Sequence, residues 1–130
     1  MKILVCGGRD FNDYTLLRDT LYEIVNSRNL NYPTDKYGNT LPNVTIVHGG
    51  AKGADDLADQ WAVANWCPVE EYKADWDTHK KAAGPIRNAK MLKESKPDLV
   101  VAFPTKASKG TWHMVKIAKA AGVETIVIGD

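Results

Sequence analysis

One stretch limits what this chain can fold into: Val44 to Asp59, reading Val-Thr-Ile-Val-His-Gly-Gly-Ala-Lys-Gly-Ala-Asp-Asp-Leu-Ala-Asp. Val44, Thr45, Ile46 and Val47 are rich in β-branched types and predict a buried strand. Gly49, Gly50, Lys52 and Gly53 form a glycine-rich turn, after which Ala54, Leu57, Ala58, Trp61 and Ala62 recur at helical spacing. Strand, glycine turn and helix in that order bring bare backbone N–H groups and the positive end of a helix up to an anionic ligand.

The rest of the chain repeats this alternation. Lys2 to Cys6 reads as a strand, followed by the turn Gly7-Gly8-Arg9-Asp10-Phe11. Asn12 or Asp13 can cap a helix whose apolar face is Leu17, Leu21, Ile24 and Val25. Residues 29–43 dissolve into Asn, Pro, Thr, Asp and Gly, which predicts a surface loop with a small hairpin at Tyr37-Gly38-Asn39. Pro68 to Lys73 reads as an edge strand and Ala74 to Ala83 as a long loop carrying Trp76 and His79. Pro85 suits the first turn of a helix that turns Ile86, Ala89 and Leu92 inward and ends before Pro97. Asp98 to Phe103 is an apolar strand, and Gly110-Thr111 opens a helix with Met114, Ile117, Ala118 and Ala121 on one face. Gly122 ends it and Glu124 to Ile128 is the last strand. Five strands alternating with four helices predict a single α/β domain over residues 1–130, a Rossmann-like, doubly wound parallel sheet. Ligands of such sheets bind beyond the strand C-termini.

With 130 residues there is chain enough for one core. A formal net charge of +1 gives no general pull towards nucleic acid or membrane. Lys73, Lys80, Lys81, Arg87, Lys90 and Lys93 fall close together and read first as a solvated basic face. No leader-like or membrane-spanning stretch is expected, and Cys6 and Cys67 read as reduced, buried thiols of a cytoplasmic protein. Trp61 and Trp66 leave two readings open, core packing or the face of a homo-oligomer.

The loops after the strands therefore share one crevice: 7–11, 48–55, 75–88 and 104–111. None matches a dinucleotide fingerprint or an ATP-binding P-loop, so no cofactor is expected, and His48, His79 and His113 lack the spacing of a zinc site. Two glycine turns at helix N-termini suit a phosphorylated or nucleotide-like ligand. Arg9 can pair with phosphate or with Asp10 or Asp55; Lys52 can touch phosphate or simply decorate a turn. Asp56 complements the helix dipole, whereas Asp55, if functional, holds ribose hydroxyls. Trp76 plugs the core or stacks on a base, and Arg87 and Asn88 can donate to anions or base edges. His48 reads as structural.

Taken together, Gly7-Gly8-Arg9-Asp10-Phe11, His48 to Asp55, Asp75-Trp76, His79, Ala83 to Asn88 with Met91, Ala102-Phe103-Pro104 and Gly110-Thr111 resemble the YspA-related family of the SLOG superfamily. The resemblance omits residues 29–43. It implies a Rossmann-like fold, a bacterial or phage setting and a nucleotide-processing or ligand-sensing role, with Gly7, Gly8, Asp10, His79 and Pro104 joining the ligand-binding candidates. The related LOG phosphoribohydrolases carry a glycine pair and a glutamate where this chain has Pro104 to Thr111 and His113; DprA-type proteins share the Gly49 to Asp55 turn and bind single-stranded DNA. Three functions follow as expectations. The first is binding of a nucleotide-like small molecule, with phosphate on 49–53 and on Gly110-Thr111. The second is cleavage at a nucleotide's N-glycosidic bond, with Asp55, Asp75 or His113 as acid or base. The third is single-stranded nucleic-acid binding, which the charge balance disfavours.

Overall fold

The computed structural model describes residues 1–129. Five parallel strands form one sheet in the order β3-β2-β1-β4-β5: β1 is Lys2–Gly7, β2 Thr45–His48, β3 Val69–Glu71, β4 Leu99–Phe103 and β5 Glu124–Val127. The helices are α1 Tyr14–Ser27, α2 Ala54–Ala64, a short α3 Trp76–His79, α4 Ala83–Ser95 and α5 Lys109–Ala120.

Strand alternation divides the core in two. Ile3 and Val5 of β1 and Leu99, Val101 and Phe103 of β4 face a layer holding Leu17, Leu21 and Val25 of α1 and Ala58, Trp61 and Ala62 of α2. Leu4 and Cys6, with Val100 and Ala102, face Met91 of α4 and Met114, Val115 and Ala118 of α5. Both central strands are covered on both sides, which is why they read as continuous apolar runs. This is the doubly wound Rossmann-like α/β fold that the alternation predicts. β1 lies between β2 and β4, and chain order reverses there, with Gly7 opposite Phe103 at the C-terminal ends.

Several local expectations are corrected. The 74–83 segment is not loop throughout: Asp75 caps α3 by accepting from the Thr78 N–H at 3.1 Å, and a 3-10 turn, Lys80–Ala82, leads into α4. Helix α4 starts two residues before Pro85, a position its missing N–H tolerates because first-turn N–H groups have no intrahelical partner. Its inward residues are Ala83, Asn88, Met91 and Ser95, so Ile86 and Ala89 are exposed and Leu92 is only partly covered. Ala121 is likewise exposed beyond α5. Trp61 is fully buried against Tyr22, whereas Trp66 is 84% exposed, so the two do not form one face. In the 29–43 loop a single antiparallel bridge joins Asn31 and Pro42, and the Asp35 carboxylate accepts from the Tyr37 and Asn39 N–H groups to close its tip. Among the described residues no helix is long and apolar enough to cross a membrane.

Candidate functional site

A crevice of about 920 Å³ opens where β1 and β4 end, the switch point of the sheet. Gly7, Gly8 and Arg9 come from the end of β1; Arg87, Asn88 and Met91 from α4; Lys106 to His113 from the β4–α5 loop and first turns of α5.

Three amides of the glycine loop before α2 are satisfied within the chain. The buried Asp55 carboxylate accepts from the N–H groups of Gly49 at 3.0 Å and Ala51 at 3.3 Å. The Gly50 N–H donates to His48 Nδ1 at 3.0 Å. Because a backbone amide only donates, Nδ1 must be the bare nitrogen, so Nε2 carries the proton and donates to Asp59 Oδ1 at 2.8 Å. The amides of Gly49, Gly50 and Ala51 are thus occupied, and Asp55 sits where the motif alone would seat a phosphate. Burial pushes the Asp55 carboxyl upward, opposed by the Ala51 N–H, His48, Arg87 and the Gly49 N–H. Burial, with Asp55 nearby, also pushes the Cys6 thiol far up, leaving it un-ionised at the crevice floor. His48, Asp59 and Glu71 bring ligand-type atoms within 4.8 Å of one another, but a metal would need the lone pair on the nitrogen that holds the proton.

A chain of hydrogen bonds ties the two ligand-facing loops together through α4. Arg87 donates from Nη1 to the Gly49 carbonyl at 2.6 Å and from Nε to Asn88 Oδ1 at 2.9 Å. Asn88 Nδ2 donates to the Gly110 carbonyl and to His113 Nδ1, each at 3.1 Å. Arg87 fixes which end of the Asn88 amide is oxygen, and the amide nitrogen then faces His113 Nδ1. A Cβ at Gly49 would meet the Arg87 guanidinium and oblige it to shift away from the Gly49 carbonyl. Asn88→Asp keeps the shape and reverses the donors, setting oxygen against the Gly110 carbonyl. It is expected to lower the unfolding free energy by about 2 kcal/mol in urea titration at pH 7; a loss near zero would mean the bridge carries no stability.

The N-terminus of α5 is arranged differently. No acidic residue lies in its first turn, and the Ser108 hydroxyl accepts from the Thr105 N–H at 2.6 Å rather than capping the helix. Its first N–H groups therefore remain open towards the crevice, beside Lys106 and Lys109.

Of the expected site residues, the structure brings Gly7, Gly8, Arg9, Asp55, Trp76, Arg87, Asn88, Gly110, Thr111 and His113 to the crevice. Gly49, Gly50 and Lys52 line an adjoining chamber. The others have different places. Asp10 accepts from the Thr105 hydroxyl, Asp75 caps α3, His79 is exposed at the end of α3, Pro104 is buried, and Gly53 packs on the 8–9 backbone. Trp76 is no core plug: it is 47% exposed, and the Arg9 guanidinium lies 5.5 Å from its ring centroid. Arg9 thus pairs with an aromatic face, not with Asp10 or Asp55. From the basic cluster, Lys73, Lys81 and Arg87 line the cavities, whereas Lys80, Lys90 and Lys93 are exposed away from them, as a solvated face requires. Lys106, Lys109 and Trp112 were not legible as site residues, since nothing in sequence spacing tells which lysines of a loop face inward.

An open parallel α/β protein with a cationic, aromatic-edged crevice at its switch point defines the class. The family model of the YspA, cpYpsA-related SLOG family matches residues 33–79, beginning inside the loop left out of the motif resemblance. The Gene 61 protein of Mycobacterium phage D29 is 36% identical over 135 residues, spanning 99% of this chain and 97% of that protein. The chain belongs to the YspA-related SLOG family. In fold it is similar to DNA processing protein A from Streptococcus pneumoniae, with a TM-score of 0.68 at 16% identity over 99% of this chain. The chain spans half the length of that protein.

Proposed function

We propose that the chain binds a phosphorylated, nucleotide-like small molecule in the crevice and does not turn it over. Phosphate lies on the open N–H groups of Lys109, Gly110 and Thr111, flanked by the Lys106 and Lys109 ammonium groups. Arg9 and Arg87 supply charge towards the middle of the crevice, and Trp76 offers its open face to a base. One observation carries this reading: five cationic side chains line the crevice, and its single carboxylate, Asp55, is already taken by two backbone amides. The ligand would be met in the cytoplasm of a bacterial or phage-infected cell, where both free thiols stay reduced.

The same observation weighs against N-glycosidic cleavage. The positive charge that develops on the sugar needs a carboxylate beside it. Asp55 is buried beneath the glycine loop, Asp75 is not among the lining residues, and His113 Nδ1 is engaged by Asn88. Single-turnover assays with the common nucleoside monophosphates are expected to release no free base.

Gly110→Asp tests the phosphate position. A side chain there meets open space, and a carboxylate in the first turn favours the helix while repelling phosphate. Isothermal titration with a panel of nucleoside monophosphates should show affinity falling about tenfold or more. Thermal unfolding should rise by about 3 °C, equivalent to about 1 kcal/mol of helix stabilisation. Unchanged affinity would move the phosphate elsewhere.

A further inference from the structure

A second cavity of about 580 Å³ adjoins the crevice, bounded by Arg9, Lys52, Lys73, Trp76 and Arg87 and by the 49–51 backbone. Four of those five side chains are cationic, and no carboxylate lines the cavity. The two cavities share Arg9, Ala51, Trp76 and Arg87, so they are lobes of one site divided by the Arg9–Trp76 stack.

The lobes differ in chemistry. At the α5 end the donors are backbone N–H groups. In the second lobe the amides of Gly49, Gly50 and Ala51 are taken by Asp55 and His48, and side-chain cations supply most of its donors. Lys73 has a loose, exposed partner in Glu71 at 3.4 Å, an ion pair weak enough for an incoming anion to replace. Among the described residues, neither Arg9 nor Lys52 takes part in an ion pair. Lys73 and Arg87 have carboxylates nearby in Glu71 and Asp55, whereas Arg9 and Lys52 have none, so the lobe keeps positive charge that an anion would neutralise.

We infer that the second lobe receives a further phosphoryl group of the same ligand, which makes the ligand a nucleotide with phosphoryl groups on both sides of one sugar. Because the two lobes share Arg9, Ala51, Trp76 and Arg87, one ligand lying along those residues reaches both. This inference rests on the nucleotide reading of the crevice and narrows its class. Two sources share the chemistry: a free nucleoside 3′,5′-bisphosphate and the phosphorylated 5′ end of a nucleic acid.

The test takes the 5′-monophosphate that binds best in the panel, its 3′,5′-bisphosphate and the 5′-phosphorylated dinucleotide of the same base. Titration calorimetry on the intact chain should give about tenfold tighter binding of the bisphosphate than of the monophosphate. In Lys52→Ala/Lys73→Ala, whose altered side chains are both exposed, that ratio should fall to near one. A dinucleotide as tight as the bisphosphate assigns the lobe to nucleic-acid ends, and a weaker one assigns it to the free metabolite. If monophosphate binds and bisphosphate binds no tighter, the second lobe is idle and the inference is overturned while the crevice reading stands. If neither binds, the crevice reading falls and takes this one with it.

Discussion

Replacing Gly53 by alanine is expected to cost more than about 3 kcal/mol of unfolding free energy and about 10 °C of melting temperature. Gly53 precedes α2 with φ +81° and ψ −127°, a conformation open to glycine and closed to L-residues with a Cβ. The added carbon would collide with the carbonyl oxygen of Gly8 and come within 2.8 Å of the Arg9 backbone. Those obstacles are main chain, so no rotamer change relieves them. The loops after β1 and β2 would have to part, and the 3.4 Å hydrogen bond from the Ala54 N–H to the Gly8 carbonyl would go with them. Gly110→Ala is the control. It lies within α5 with open space around it and is expected to gain about 0.5–1 kcal/mol. Similar losses in both variants by urea titration would remove the steric argument.

Gly53 also marks how far sequence reasoning reaches. The β-branched runs 3–5, 44–47 and 99–103 announce their strands because only burial on two faces accounts for them, and the loops that follow then fall at one edge of the sheet. Order and edge were therefore legible. The direction of a side chain within a turn was not. Asp55 reads equally well as a ribose holder and as an anchor, since helical spacing fixes its position in the first turn of α2 but not whether its carboxylate points back beneath the loop. Trp76 belongs to a four-residue helix without apolar periodicity, and only the Asp75–Thr78 cap spacing signals it. The convergence of Lys73 and Lys81 with Lys106 and Lys109 joins two stretches on either side of α4 and β4, which composition averages to a net charge of +1.

Asp55→Ala is expected to be the second large loss, about 2–4 kcal/mol, because it strands the Gly49 and Ala51 amides and leaves the half-buried Arg87 guanidinium without its nearby carboxylate. Asp55→Asn keeps an oxygen that can accept from both amides, and the loss should shrink to about 1 kcal/mol. The pair of variants also carries a pH signature. Burial raises the Asp55 carboxyl, so the folded chain retains that proton at pH values where the unfolded chain has released it. The stability contributed by protonation is present in full below the ordinary carboxylate range and is lost as pH rises through the raised native value. Asparagine does not titrate. The stability gap between the parent and Asp55→Asn should accordingly be widest near pH ~4 and narrow towards pH ~7, measured by urea midpoints across that range. A gap that widens with pH would mean that the amides and Arg87 outweigh burial and hold Asp55 ionised. Nucleotide affinity separates the two roles that sequence left open. An anchor beneath the loop predicts that Asp55→Asn, folded and only mildly weakened, binds nucleoside monophosphates within about twofold of the parent, whereas a ribose holder would lose a charged hydrogen bond and about tenfold or more.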